Sequence, residues 1–527
     1  MTVREKIEAG RTFLGIELGS TRIKAVLTDD SYIPIASGSH SWENRFENGY
    51  WTYSLDDIRR GLQSCYASLA ENVSEQYGAE LKTFSAMGVS AMMHGYMPFD
   101  KDGGLLVPFR TWRNTTTEKA AEELTELFGF NIPQRWSIAH FYQAVLNGEE
   151  HLGKLYRINT LAGYIHFLLT GRFEVGAGEA SGIFPLDGIA YNGRFIELIN
   201  NSLKRKGFDI DVRNILPKVR NAGEKGAFLT EAGAHFLDPF GRLEAGIPVC
   251  PPEGDAGTGM TATNSVSPGT GNVSAGTSIF SMLVLDKQLK GVYPQIDSVT
   301  TPDGLPVAMV HCNNCCSELD SWVNMFAEFA RLCSADIDIS KVYSLLYNNA
   351  LKGESGCGGI TVYNFISGEP AAGLEKGCPM YIRRPEARLD LANFFKAQLY
   401  TAAASLKLGM DILYNSEGVK AERITGHGGL FKVEGVAQQF IADALKAPVS
   451  VMKTAGEGGA WGMALLSAFM NCGEGRTLAK FLEQDVFVSM EEKTVYPDVG
   501  GSESFEKYMA GFKAGLEAEK AAADALI

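Results

Sequence analysis

The sequence predicts an α/β protein built as two related halves with a cleft between them. Three observations carry this. β-Type runs alternate with segments of helical periodicity through both halves. A strand-turn-strand pattern around Gly19 returns around Gly276, half the chain later. The length, 527 residues, is enough for two large domains, each with its own core.

The first pattern is Phe13 to Asp29, FLGIELGSTRIKAVLTD, two short β-type runs joined by a Gly-Ser-Thr turn, which reads as a hairpin. Leu55 to Val73 and Thr117 to Leu127 place apolar residues at three- and four-residue steps and read as amphipathic helices. A β-type run, Ile247 to Cys250, leads into the glycine-rich Gly254 to Gly271, the expected domain boundary, where backbone freedom suits a hinge. Asn272 to Asp286 repeats the hairpin, with an acid at the same offset from the turn glycine (Gly19 to Asp29, Gly276 to Asp286). Phe394 to Tyr414 is helical over about six turns. An extended Ala421 to Ile424, a Gly-Gly junction and a helix Glu434 to Leu445 follow, and Glu457-Gly458-Gly459-Ala460 opens a helix whose small residues permit close packing. The Ala-, Glu- and Lys-rich tail after Gly500 reads as a terminal helix without chemistry.

Composition narrows the function. Hydrophobic residues at 45% and charged residues at 21% fit an ordinary globular protein and exclude a largely disordered one. A net charge of −14 argues against nucleic acid and anionic membranes as partners. Nine cysteines, an odd number scattered from Cys65 to Cys472, read as reduced thiols of a cytoplasmic protein. Met1 to Gly10 carries Arg4, Glu5, Lys6 and Glu8 before any apolar run, so no secretory signal is expected there. The longest uncharged stretch, Ala256 to Leu285, is rich in Gly, Thr and Ser and contains Pro268, so it reads as a loop system and not a membrane span.

Four motifs carry chemistry. Two tight Gly-Ser/Thr turns, Gly19-Ser20-Thr21 and Gly276-Thr277-Ser278, can aim backbone N–H groups at phosphate oxygens, and Glu17 stands where it could hold a water of hydrated Mg²⁺. Each taken alone is equally an ordinary hairpin. Asp255, flanked by glycines, could sit at the mouth of the cleft or be a plain turn residue. Thr425-Gly426-His427-Gly428-Gly429-Leu430-Phe431-Lys432 places bare backbone and a helix start against a flat ligand such as adenine, or is a simple connection. His311 to Cys316 offers a C-x₂-C spacing without a second pair, so zinc is not expected. His140 and His166 lie in apolar helical contexts and read as packed, while Trp136 to Gln143 could line a cleft.

In this order, over roughly residues 12 to 490, the pieces resemble the FGGY family of carbohydrate kinases, within the actin, hexokinase and chaperone-type ATPase superfamily. The resemblance implies two ribonuclease H-like domains: 12–265, with the sugar site and the first phosphate hairpin, and 266–490, with the ATP site. An extension 1–11 and a helical tail 491–527 flank them. It implies ATP and Mg²⁺ as cofactors, a small-molecule sugar as substrate, and leaves a homodimer open. Phosphate and nucleotide contacts fall to Gly19, Ser20, Thr21, Lys24, Gly276, Thr277, Ser278, Gly428, Gly429 and Lys432. Glu17, where the family usually has Asp, and Asp255 would hold the metal through water, and Asp255 would accept the proton of the attacking hydroxyl.

Met92-Met93-His94-Gly95 is similar to the signature of xylulokinase-type members and places Met93 and His94 against a ketose; alone, His94 is equally a satisfied histidine at a strand end. Where these kinases show Trp-x-Asp-x-Arg, this chain has Trp112-Arg113-Asn114-Thr115-Thr116, so Asn114 and Thr116 replace the charged pair, and Asn114 is expected to contact the sugar without charge. The activity implied is phosphorylation of a ketopentose, D-xylulose ahead of L-ribulose, with cleft closure on the sugar. A filament-forming or chaperone-like ATPase is the competing class, lacking the sugar signature.

Overall fold

The computed structural model describes residues 1–333, 337–452, 458–488 and 490–527. The first sheet contains β1 (Thr12–Leu18), β2 (Arg22–Asp29), β3 (Pro34–Ser41), β4 (Ala86–Ala91), β5 (Ala227–Phe228), β6 (Pro248–Val249) and β7 (Glu253–Gly254). Its order is β5-β6-β4-β1-β2-β3, with β7 also on β4. The expected hairpin is β1–β2, antiparallel, with Glu17 opposite Lys24. β1 runs parallel to β4, and Phe13, Leu14, Ile16 and Leu18 are all buried, as a strand covered on both faces requires. Helix α1 (Leu55–Tyr77) starts where the Ser54 side chain accepts from Asp57 N and stops at Gly78 in the left-handed region. The chain passes from β7 straight into α2 (Asp255–Ala262).

The second sheet repeats the plan. It contains β8 (Thr270–Ala275), β9 (Ile279–Val284), β10 (Ile296–Thr300), β11 (Pro306–Cys312), β12 (Arg423–His427), β13 (Val449–Met452) and β14 (Glu492–Val495), in the order β10-β11-β9-β8-β12-β13-β14. In both sheets a hairpin leads, its first strand pairs in parallel with a later strand, and its second strand pairs with a third antiparallel one. The duplication expected from two turn sequences is therefore a duplication of topology. Helices α3 (Leu391–Ser416), α4 (Val436–Leu445), α5 (Gly458–Cys472) and α6 (Val499–Leu526) complete the framework, and α6, the expected tail helix, buries Phe505, Tyr508, Met509 and Phe512 against the second half.

Two expectations are corrected. The 256–285 stretch is not a loop system. It holds helix α2 and the hairpin β8–β9. The small residues serve close packing: a Cβ on Gly462 of α5 would lie 2.0 Å from Thr258 O of α2, and one on Gly15 of β1 would lie 2.0 Å from Ala460 O. Gly-Thr composition reads as loop because the compensating contact, α5, lies two hundred residues away. The extended run expected to end at Ile424 continues through His427 and is followed by a short 3₁₀ turn, Gly429–Lys432. Helix α5 packs on β1, β2 and β4 of the first sheet, so the chain returns to its first half before finishing in β14 and α6. Glu457 lies outside the described residues. Among the described residues no helix is long and apolar enough to cross a membrane, and all nine cysteines are free thiols.

Candidate active site

Sheet register delivers the first group of residues to one place. Glu17 of β1 and Glu253 of β7 both pair with Ser90 of β4, so the three strands end at the same level, and their carboxyl ends carry Glu17, Met92 to His94 and Asp255 to one edge. That edge is where α/β sheets bind ligands. Asp255 is the first residue of α2; its Oδ1 accepts from Met93 N at 3.2 Å and from Ala256 N at 3.0 Å. Its carboxyl meets solvent in the open cleft and protein on the other sides, and that desolvation, against the bonds from Met93 and Ala256, brings its pKa up to about 6. Glu17 accepts from Ala460 N at 3.2 Å. Desolvation first, and the nearby Asp255 charge second, raise it to about 7. Desolvation dominates both shifts, and at Glu17 the Asp255 charge adds to it while Lys24, opposite on β2, works against it.

His94 has φ 67°, and its Nδ1 lies 3.2 Å from Gly182 O. A carbonyl only accepts, so the ring proton sits on Nδ1 and Nε2 is left as an acceptor. Burial holds the ring neutral, its pKa well below that of a free histidine, and it stacks on Trp136 at 6.2 Å between centroids. Gly182 allows this approach, since a Cβ there would lie 2.6 Å from Nδ1.

The two turns are braced from behind. Gly19 O accepts from Trp42 Nε1 at 2.8 Å, Ser20 O from Tyr53 Oη at 2.6 Å, and Ser20 Oγ from Trp112 Nε1 at 3.2 Å. In the second turn Gly276 N donates to Ser278 O at 2.9 Å, while Cys315 N and Cys316 N donate to Thr277 O and Gly276 O, each at 3.0 Å. The Cys315-Cys316 pair, 3.6 Å between sulfurs, thus anchors a turn. Among the described residues no group of three or more His, Cys, Asp or Glu is placed to hold a metal ion.

A cavity of about 370 Å³ lies where these pieces meet. Of the expected residues, Glu17, Ser20, Met93, His94, Asp255 and Ser278 line it. Gly19, Gly276, Thr277, Gly428 and Gly429 stand in or beside the same turns without lining it, and Gly428 has φ 102° with Ala275 O 2.4 Å from where a Cβ would be. Thr21 is exposed, and Lys24 lies on β2 opposite Glu17. Lys432 is exposed, its Nζ 5.7 Å from the Tyr343 ring. Asn114 does not reach the cavity: it is buried, its amide nitrogen donates to Trp51 O and Thr111 O at 2.9 Å each, and its oxygen accepts from Trp51 N at 2.8 Å. Its amide is engaged with backbone, and it lines instead an adjoining cavity of about 850 Å³.

Sequence reasoning missed Trp112, Arg135, Phe280, Met309 and His311, which also line the cavity. Phe280 and His311 are register partners on β9 and β11, with rings 6.3 Å apart. Arg135 pairs with Asp297 of β10, and Asn131 Nδ2 donates to Ile296 O at 2.9 Å, so the loop before Trp136 binds the edge of the second sheet. The only signal for Arg135 was its place beside the Trp136 to Gln143 segment.

Known proteins share this architecture. The chain is 22% identical over 519 residues to the xylulose kinase of Haemophilus influenzae, covering 94% of this chain and 97% of that protein. A ligand-bound xylulose kinase from Lactobacillus acidophilus superposes with a TM-score of 0.79 at 16% identity, covering 98% of this chain and 100% of that one. A gluconate kinase from Lactobacillus acidophilus does so with a TM-score of 0.78, also at 16% identity, covering 98% and 99%. Proteins named for different substrates thus have the same fold. The N-terminal domain of the FGGY carbohydrate kinases matches residues 12–260 and their C-terminal domain residues 271–470. Matched in order over both halves, the chain belongs to the FGGY family of carbohydrate kinases, phosphotransferases that act on a sugar and ATP.

Proposed function

We propose that the protein transfers the γ-phosphoryl group of ATP to the terminal hydroxyl of a ketopentose, making D-xylulose 5-phosphate from D-xylulose. The observation that carries this reading is the meeting of Asp255, Glu17 and His94 from the first half with Ser278 and His427 from the second around one cavity. The Haemophilus influenzae xylulose kinase supports the choice of sugar. Asn114 and Thr116, which stand where the family shows Asp and Arg, support a second reading, L-ribulose or another pentulose or polyol, because an uncharged amide bonded to backbone replaces a charged group there.

In this mechanism Asp255 accepts the proton of the attacking hydroxyl as the new O–P bond forms; an ordinary carboxylate is too weak a base to remove it beforehand. Met93 N, bonded to Asp255, fixes the carboxylate's direction. His94 Nε2 accepts from a sugar hydroxyl, and Met93 packs on the carbon chain. Backbone N–H groups of the turns at Gly19-Ser20-Thr21 and Gly276-Thr277-Ser278 hold phosphate oxygens, with Gly428 and Gly429 at the nucleotide. Glu17 and Asp255, two desolvated carboxyls on one edge of the cavity, would hold Mg²⁺, which when bound would offset negative charge on the phosphates. Buried free thiols suit the reducing cytoplasm.

A coupled ADP-release assay over D-xylulose, L-xylulose, D-ribulose, L-ribulose and glycerol tests the reading, which predicts the highest kcat/KM for D-xylulose. ADP release that no sugar stimulates points instead to a non-metabolic ATPase. The same reading has the cleft close on the sugar to exclude water, so small-angle scattering should show a smaller radius of gyration with D-xylulose and nucleotide than without. An unchanged radius means a preformed cleft.

A further inference from the structure

Arg135 is placed for a task that no residue of the sequence motifs performs. It lines the 370 Å³ cavity and, with Trp112 and His311, also lines an adjoining cavity of about 850 Å³. Glu17 and Asp255 line only the first. Arg135 therefore stands where the two cavities adjoin, and Asp255, assigned above to the attacked hydroxyl, does not. Its guanidinium meets Asp297 through Nη2, and among the described residues it makes no other side-chain hydrogen bond. Its own carbonyl accepts from Gly95 N at 3.2 Å, which ties its position to the loop that carries His94.

We propose that Arg135 is the residue that reads the carbonyl end of an open-chain ketose, so that the site takes ketoses ahead of the alditols formed by reducing that carbonyl. The proposal rests on the kinase reading above and adds the determinant of substrate class. The planar fork of a guanidinium only donates and a carbonyl oxygen only accepts, so the two pair without a proton to turn aside. An alditol offers a tetrahedral carbon and a hydroxyl whose own proton must be turned aside. Charge separates a ketose from a sugar acid. Asp297 already offsets the positive charge of Arg135, so a substrate carboxylate would face a second carboxylate, whereas a neutral carbonyl faces none. Asn114, expected to select the sugar, lines the same adjoining cavity, but both of its amide hydrogens go to the backbone of Trp51 and Thr111.

The test compares kcat/KM for D-xylulose, its reduction products xylitol and D-arabinitol, and D-gluconate, in the full chain and in Arg135→Met, Arg135→Lys and Asp297→Asn. The wild type should prefer the ketose. Arg135→Met should lose about tenfold to hundredfold on the ketose, mainly in KM, while changing on the alditols by no more than about threefold, as expected for one charge-assisted bond. Arg135→Lys, which keeps charge without the fork, should give an intermediate ratio, and Asp297→Asn should keep the ketose preference. Equal losses of Arg135→Met on ketose and alditol, or an unchanged ratio, overturn the assignment. If Arg135→Met does not fold, a wild-type ratio in Arg135→Lys overturns it. A wild type that prefers D-gluconate, with that preference lost in Arg135→Met, overturns the carbonyl in favour of a carboxylate. If no compound is phosphorylated, the proposed function fails on its own. The same panel is then measured by calorimetric binding, where equal ketose and alditol affinity in the wild type refutes the role of Arg135.

Discussion

Replacing Asp255 by Asn separates the two duties of this side chain. The amide keeps one oxygen, which can still accept from Met93 N and Ala256 N, so the loop that carries His94 should hold its place. What is lost is a group able to accept a proton. General-base removal costs about 10² to 10⁴ in rate, which is roughly 3 to 5 kcal/mol of transition-state stabilisation. Single-turnover phosphoryl transfer should fall by that factor, while affinity for ATP without Mg²⁺, read by calorimetry, stays near wild type because Asp255 is assigned to the hydroxyl and the metal and not to adenine. The pH profile gives a second handle. The carboxyl lies near 6 in the folded protein, and only its ionised form can take the proton. The acid limb of wild-type kcat/KM should therefore fall with decreasing pH at about 6, or lower with metal bound, and Asp255→Asn should abolish it. A variant that keeps more than a tenth of the wild-type rate, or that retains the acid limb, refutes Asp255 as the base.

Glu17→Gln should raise the Mg²⁺ concentration for half-maximal rate while Glu17→Asp changes it less; identical Mg²⁺ titrations in both would show that Glu17 only receives the N–H groups at the start of α5. Gly462→Ala should destabilise by about 1 to 3 kcal/mol, read as a lower urea midpoint, because the new methyl would lie 2.0 Å from Thr258 O. Burial alone would raise the Glu174 carboxyl, but the His166 ring 3.5 Å away and the bond from Arg220 Nε at 2.7 Å outweigh this and bring it down to about 2. That stabilisation is present above the ordinary carboxylate range and is lost as pH falls toward 2, so the wild type's advantage over Glu174→Gln in urea midpoint should shrink from pH 7 to about pH 3.

The fold was legible wherever a local pattern and its partner were both short-range. The two hairpins follow from apolar runs around Gly19 and Gly276, and α1 follows from the spacing of Ile58, Leu62, Cys65, Leu69 and Val73. It was misread where the partner was distant. Gly257, Thr258 and Gly259 have loop composition, yet they form a helix because α5 presents Gly459 and Gly462 at contact distance, and backbone that approaches backbone so closely cannot carry larger side chains. The same distance effect sends α5 back to the first sheet. No local signal near Gly458 says which of the two sheets it covers.

The site divides along the same line. Glu17, Ser20, His94 and Asp255 sit at strand ends or turns, where one short motif fixes both the backbone and the direction of the side chain. Asn114 sits in an equally recognisable segment, but its amide is taken by Trp51, sixty-three positions earlier, and a motif cannot reveal a bond made outside it. Arg135 fails for the opposite reason. Its neighbours form no motif, and its direction is fixed by Asp297, 162 positions later on the edge strand of the other sheet. Residues set by the strand they stand on can be read from that strand. Those set by the meeting of two sheets become visible only when both are in place, and the side of this cleft lined by Arg135, Phe280 and His311 is built from that second kind.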